Sequence, residues 1–391
     1  MQKEACYQQF LTANVNPREL KYYEYDNEAT SAYVYHNSRQ LINFSSNDYL
    51  GLARHPELIA RSHAYAKQYG VGATSSRLVT GNLQLYQSLE AKLAEALQKP
   101  AALILGSGYQ TNVSVLEALL DRRVLGGEAL VFADKYAHVS LLTVTQHLCQ
   151  LKRFIHNDLD HLQLLLNKHR DSTSPKFIIV ESVYSMDGDI ANLVRLIELA
   201  KEHNAMLYVD DAHAVGIYGA KGWGKAPEFS NDIDIIMGTF SKGLGSFGGY
   251  IGCSEIMKQY LINKCRGLIY STGPSPAVLG AMSAAIDILP MLGPERQRLM
   301  NHSKKIRDHF DRLGLHYGNA DTHIVPWIIG DAEKTLRASQ LLEARGILAT
   351  SIRPPTVPLG KSRIRFCLSA MHSEADIRQL IRAVEEVKEL L

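Results

Sequence analysis

Five short apolar runs recur through the middle of the chain, at Ala101–Leu105, Ala129–Ala133, Phe177–Val180, Met206–Val209 and Ile233–Met237, only the last broken, by Asp234. A strand with one wet face alternates polar and apolar residues, so a run without alternation must be covered on both faces. Helical patterns lie between most of these runs, most clearly at Leu193–Glu202. Strands separated by helices and buried on both sides specify an α/β chain built on a mostly parallel sheet. Leu151–Ile155 and Gly248–Gly252 offer further strands.

The flanks read differently. A short helix is expected to about Gln9–Phe10, and Tyr33–Tyr35 with Leu41–Phe44 around His36–Gln40 reads as a hairpin. Helices are predicted from Pro56 to Tyr69 and from Leu83 to Leu97. Beyond Pro290 a polar helix from about Pro294 to Leu313 leads to strands near Ile324–Ile329, Ile347–Thr350 and Ile364–Leu368. The last helix opens with the capping-box pattern Ser373-Glu374-Ala375-Asp376. This suggests an N-terminal arm and hairpin (1–45), a large domain (46–290) and a smaller α+β C-terminal domain (291–391), with a boundary near 288–296 where Pro290 and Gly293-Pro294 interrupt the helices.

Composition excludes several classes. With 42 Lys+Arg against 40 Asp+Glu, the net charge of +2 lacks the basic excess that phosphate neutralisation requires, so no nucleic-acid partner is expected. No apolar stretch reaches the length of a membrane span, and Met1–Leu20 has no apolar core of a secretory signal. The five cysteines (Cys6, Cys149, Cys253, Cys265, Cys367) are dispersed and odd in number, which fits a reducing, cytoplasmic setting and no disulfide framework.

Chemistry gathers where the apolar runs end. Ala101–Leu105 is followed by Gly106-Ser107-Gly108-Tyr109 and Ala129–Ala133 by Asp134 and His138. Phe177–Val180 leads to Glu181, Ser182 and Ser185, Met206–Val209 to Asp210-Asp211-Ala212-His213, and Ile233–Met237 to Gly238-Thr239-Phe240-Ser241-Lys242. Open parallel sheets bind ligands beyond the carboxyl ends of their strands, so these clusters converge on one site. Gly106-Ser107-Gly108 ahead of a helix offers N–H donors to a phosphate, although alone such a turn is more often a plain connection. It is neither a Walker loop nor a complete G-x-G-x-x-G, so ATP and NAD are not implied. Lys242 at a buried strand end can lose its proton and condense with an aldehyde, and a solvated loop lysine is the plainer alternative. Asp210 is equally a carboxylate facing a cationic ligand atom or a turn cap. Asp210 and His213 lack the further ligands a metal needs, so no metal is expected. A phosphate cradle, a lysine, a buried Asp and the histidines 138 and 213 together meet the needs of pyridoxal 5′-phosphate.

The sequence resembles the α-oxoamine synthases, fold-type I pyridoxal-phosphate enzymes, over nearly its whole length. The resemblance rests on Asn43-Phe44-Ser45-Ser46-Asn47-Asp48-Tyr49-Leu50-Gly51-Leu52, Gly81-Asn82, Glu181 through Ser185-Met186-Asp187-Gly188-Asp189, Asp210-Asp211-Ala212-His213 and Thr239-Phe240-Ser241-Lys242-Gly243. The segment Ile352-Arg353-Pro354-Pro355-Thr356-Val357-Pro358, followed by Arg363-Ile364-Arg365, looks like the branch serving biotin biosynthesis. Sister enzymes using glycine and acetyl-CoA generally lack the double proline. A non-catalytic partner subunit of this family would be expected to lack Lys242.

The resemblance implies roles for named residues. Lys242 would hold the cofactor, Asp210 would pair with its ring nitrogen, His138 would stack on the ring and His213 would reach its phenolic oxygen. Gly108, Tyr109, Ser185 and Thr239 would complete the cofactor or phosphate site, with Thr272, next to Tyr270 and Ser271, supplied by the neighbouring subunit of a homodimer. Asn47 and Arg365 would meet the amino-acid carboxylate, and Thr356 would lie near the acyl substrate. Where the family often has an arginine in the N-terminal arm, this chain offers Lys21, with Arg18 nearby. The implied reaction condenses L-alanine with pimeloyl-CoA or a pimeloyl-acyl carrier protein, releasing CO₂ and the thiol and giving 8-amino-7-oxononanoate.

Overall fold

The computed structural model describes residues 4–5, 7–9, 20–26 and 30–391. Cys6, Phe10 and Arg18 lie outside the described residues; residues 7–9 are helical, as the sequence suggests. The expected hairpin forms from β1 (Tyr33–His36) and β2 (Arg39–Asn43). Its two-residue turn holds Asn37 and Ser38 at φ 50° and 59°, the left-handed pair whose twist matches the strands.

A seven-stranded sheet follows, made of β3 (Ala101–Leu105), β4 (Leu130–Asp134), β5 (Gln150–Phe154), β6 (Lys176–Glu181), β7 (Ala205–Asp210), β8 (Ile235–Thr239) and β9 (Gly249–Cys253). Their spatial order is β3-β9-β8-β7-β6-β4-β5. Strands β4 to β8 are parallel to their neighbours among themselves, whereas β9 runs antiparallel between β3 and β8. Every residue of β3, β4, β8 and β9 is buried, as the unbroken apolar runs require. Strand β5 is the exception; it lies at the sheet edge and keeps Gln150 and Arg153 exposed.

The chain turns through 76° between Pro276–Met291 and Gly293–Leu313, and the polar helix then leads into the C-terminal strands β10 (Ile324–Gly330), β11 (Ile347–Leu348), β12 (Thr350–Ile352) and β13 (Ser362–Cys367). The single strand expected at Ile347–Thr350 is in fact two. Residues 347–348 pair in parallel with β2, whereas 350–352 pair antiparallel with β13, so the backbone changes partner at Ala349. The N-terminal hairpin is thereby stitched to the C-terminal region. Helix Glu374–Glu389 carries the expected capping box, Ser373 accepting from the Asp376 N–H at 3.1 Å while the Asp376 carboxylate accepts from the Ser373 N–H at 2.7 Å.

This topology puts Asp134, Glu181, Asp210 and Thr239 at the last positions of β4, β6, β7 and β8. Register places Glu181 beside Asp210 and Asp210 beside Met237. The turn after β3 arrives at the same edge because Leu105 and Thr239 both pair with Gly249. Only glycine fits there: a Cβ on Gly249 would stand 2.8 Å from the Ser107 carbonyl oxygen.

Buried histidines make the fold acid-sensitive. His372 accepts from the Ser369 N–H at 3.1 Å and reaches the Asn43 carbonyl at 3.2 Å, tying the last loop to β2. Burial lowers its pKa to about 4, and that of His323 to about 3. The unfolded imidazoles titrate near ~6.5, so the unfolded chain binds more protons below that pH. Stability is therefore full above about pH 6.5 and falls as the pH drops towards 4, by about 3 kcal/mol for His372 alone. His372→Gln keeps one donor and one acceptor without the titration. Thermal melts from pH 7 to 4 should show a shallower acid loss in this variant, and superimposable curves would exclude the role.

Candidate active site

Lys242 owes its position to the turn after β8. The Thr239 hydroxyl donates to the Gly248 carbonyl at 2.7 Å, and its oxygen accepts from the Ser241 N–H at 3.2 Å. The turn aims the part-buried Lys242 across the strand ends, with Nζ 2.8 Å from His213 Nε2. Burial lowers the Lys242 pKa, opposed by the charges of Asp210 and Glu181. Burial, and then Lys242 and Arg365, push His213 well below its usual range, so its imidazole is neutral. A neutral imidazole beside an easily deprotonated lysine is an arrangement for moving protons.

Asp210 is held by a residue the motifs did not reveal. Asn112, buried on helix Gly108–Leu119, donates to Asp210 Oδ2 at 2.7 Å and to Ser140 Oγ at 2.9 Å, while its own oxygen accepts from the Tyr208 hydroxyl at 2.7 Å. The only sequence signal is a polar side chain on the apolar face of the helix after the glycine turn. Asp210 Oδ1 accepts from the Ala212 N–H at 3.0 Å. Its neighbour Asp211 turns away, accepting from the Ser182 hydroxyl and from the Ala226 N–H at 3.0 Å. Burial raises the Asp211 carboxyl to about 6, and its bonds fix the loop between residues 212 and 226.

His138 caps helix Val139–Leu148 by accepting from the Ser140 N–H and is exposed to solvent. Its own N–H donates to Glu181 Oε1 at 2.6 Å. Burial, with the charge of Asp210, raises the Glu181 carboxyl to about 8. Ser107 caps helix Gly108–Leu119 and accepts from the Gln110 N–H, so Gly108 and exposed Tyr109 sit at the positive end of a twelve-residue helix. Ser185 is buried just beyond β6.

Arginines 363 and 365 point to the same face of β13 but differ in partners. Arg363 is fully buried and paired with Asp187 at 2.7 Å. Arg365 donates to the neutral Asn47 Oδ1 at 2.8 Å, and its Nε is buried with no partner. Among the described residues no carboxylate lies within ion-pair distance of Arg365. Asn47 also accepts from the Tyr49 hydroxyl at 3.1 Å, and Tyr49 lies 2.7 Å from His213 Nδ1.

Lys242, His213, Asn47 and Arg365 thus form one hydrogen-bonded group, with Asp210, Glu181 and His138 beside it. Other expected residues stand apart within this chain. Lys21 is exposed and ion-paired with Glu343 at 2.7 Å, Thr356 is exposed in the segment between β12 and β13, and exposed Thr272 bridges to Ser76.

The sequence family described as aminotransferase class I and II matches residues 39–384. The chain belongs to this family. An 8-amino-7-oxononanoate synthase from Gluconacetobacter diazotrophicus is 44% identical over 360 residues, covering 90% of this chain and 89% of that protein. A protein provisionally given the same name in Paramagnetospirillum magneticum is 51% identical over 352 residues, covering 90% and 89%. Among solved structures, a serine palmitoyltransferase variant from S. paucimobilis, bound to a pyridoxal phosphate–myriocin adduct, superposes with a TM-score of 0.89 at 25% identity, covering 99% of this chain and 96% of that one. The protein is a pyridoxal-phosphate enzyme of the α-oxoamine synthase type, similar in sequence to 8-amino-7-oxononanoate synthases.

Removing the Asn112 amide leaves a buried face of Asp210 and the Tyr208 hydroxyl without partners, each costing on the order of 1 kcal/mol or more. Asn112→Ala should therefore bind pyridoxal phosphate about tenfold more weakly, as measured by equilibrium titration of its absorbance. Unchanged affinity would mean that Asn112 only packs.

Proposed function

We propose that the enzyme condenses L-alanine with a pimeloyl thioester, giving 8-amino-7-oxononanoate, CO₂ and the free thiol, a step of biotin biosynthesis. The observation that carries this reading is Arg365: a guanidinium with an unpartnered buried Nε and, among the described residues, no ion pair, one hydrogen-bonded chain away from a lysine that burial makes easy to deprotonate. Such a pair fits a substrate with a carboxylate next to the carbon that loses a proton. The names carried by the curated relatives, and the double proline at Pro354-Pro355, support the choice of acyl substrate.

The residues present fit pyridoxal phosphate. Lys242 would bind its aldehyde carbon, Asp210 its ring nitrogen, and His213 its phenolic oxygen. The helix start at Gly108 and Tyr109, with Ser185 and Thr239, would take the phosphate, and exposed His138 would cover the ring. Bound there, the cofactor supplies an electron sink for the pair left by a broken bond at Cα. Arg365 and Asn47 orient the alanine carboxylate, and Lys242 Nζ takes the Cα proton. Cα then bonds to the pimeloyl carbonyl carbon, the thiol leaves, the original carboxylate departs as CO₂, and a proton returns to Cα.

We also propose a homodimer. The Ser76–Thr272 bridge joins the segments that carry Leu78, Val79 and Tyr270, apolar side chains 50%, 74% and 81% exposed that a second copy would cover. Thr272 on that surface would then serve the partner's site. The four described cysteines are free and buried, in keeping with a cytoplasmic setting.

Purified protein incubated with pyridoxal phosphate should turn yellow, and Lys242→Ala should not. With L-alanine and pimeloyl-CoA or pimeloyl-acyl carrier protein it should release CO₂ and an amino ketone. Turnover with glycine and acetyl-CoA, and none with the pimeloyl donors, would replace this substrate assignment by that of a glycine C-acetyltransferase. In size-exclusion chromatography the protein should run at twice the chain mass, and Val79→Asp should shift it towards the monomer.

A further inference from the structure

A chain of four hydrogen bonds runs from Arg365 to Lys242. Arg365 lies 2.8 Å from Asn47 Oδ1, which lies 3.1 Å from the Tyr49 hydroxyl; that hydroxyl is 2.7 Å from His213 Nδ1, and His213 Nε2 is 2.8 Å from Lys242 Nζ. Its direction rests on the Tyr49 hydroxyl placing its one proton on Asn47 Oδ1. A guanidinium can only donate, so the Asn47 atom facing it must be the oxygen. That oxygen has a second lone pair, which accepts the single proton of the Tyr49 hydroxyl. Tyr49 is fully buried, and burial keeps its phenol protonated far above neutral pH, so this donor is permanent. Having donated to Asn47, the Tyr49 oxygen can only accept from His213 Nδ1–H. His213 is neutral, so Nε2 is left bare and accepts from Lys242.

We propose that Tyr49 is a positioning residue that holds His213 in its Nδ1-protonated tautomer and so turns a bare Nε2 towards Lys242. The ring contact between Tyr49 and His323, with centroids 4.1 Å apart, fixes the phenol from its other side. Without the Tyr49 oxygen, Nδ1–H would have no acceptor and the proton would favour Nε2. Nε2–H would then face Lys242 and favour the unprotonated amine, which accepts. Asp210, Glu181, Arg365 and Cys367 also face Lys242, and Arg365, His323 and His138 face His213; Tyr49→Phe leaves all of these groups in place and takes one hydrogen-bond partner from Arg365.

Two measurements test this. In the full-length protein without added cofactor, long-range nitrogen-15 spectra of labelled histidines report the tautomer, with His213 assigned by loss of its signals in His213→Asn. The expected form carries the proton on Nδ1; a proton on Nε2 overturns the proposal. Second, the rate at which added pyridoxal phosphate is captured, followed by visible absorbance across pH, reports the ionisation of Lys242. In folded Tyr49→Phe its midpoint should fall by about one pH unit, and a coincident midpoint overturns the proposal. The capture measurement rests on Lys242 being the residue that takes the cofactor. Should wild type capture none, that reading fails, and the tautomer in the free protein still decides the role of Tyr49. The same spectra decide it if Tyr49→Phe does not fold.

Discussion

Covering both faces of the seven-stranded sheet leaves the protein one place to put polar chemistry, the carboxyl edge. Along β3, β4, β8 and β9 no side chain reaches solvent, so a charged group in their middle would lack water. Asp134, Glu181, Asp210 and Thr239 stand at the last residue that hydrogen bonding within the sheet allows. The edge is still dry enough for burial to raise Glu181 and to lower Lys242 and His213. The shared cause of these shifts is partial desolvation at the end of a covered sheet, and the individual charges only modulate it.

Pairs of like residues divide into structural and chemical members according to what they touch. Asp211 spends its carboxylate on the Ser182 hydroxyl and a loop N–H, whereas Asp210 is steadied by an amide that leaves its charge uncancelled. Arg363 is neutralised by Asp187, whereas Arg365 meets a neutral amide and a neutral phenol. In each pair the chemical member keeps a charge that the protein has not cancelled. A ligand of opposite charge can supply what is missing.

Much of this was legible in the sequence because burial on two faces writes an unbroken apolar run, and the residue ending the run lies at the edge. The helix Pro56–Tyr69 and strand β3 fall where the pattern places them, and Lys242, Asp210 and His213 could be named from position alone. What was not legible depends on contacts between distant segments. Nothing in the local pattern joins Asn112 to Asp210 across 98 positions, or Tyr49 to His213 across 164. The division of 347–352 into two strands was hidden for the same reason, since the partners β2 and β13 lie at opposite ends of the chain. The antiparallel direction of β9 likewise follows from a short tight connection after β8, whose apolar run reads the same in either direction.

The pairing of β2 with β11 carries a consequence for biosynthesis. The second edge of β2, at Ile42 and Asn43, finds its partners only at Ile347 and Leu348, more than 300 residues later. While the ribosome works through the intervening chain, the hairpin has one edge unpaired and the apolar side chains of Leu41 and Ile42 uncovered. The sheet from β3 to β9 can assemble on its own contacts as it emerges, but the first strands made must wait for nearly the last. Folding of the N-terminal segment is thus tied to completion of the chain, and a truncated product would expose the strand edge that invites aggregation.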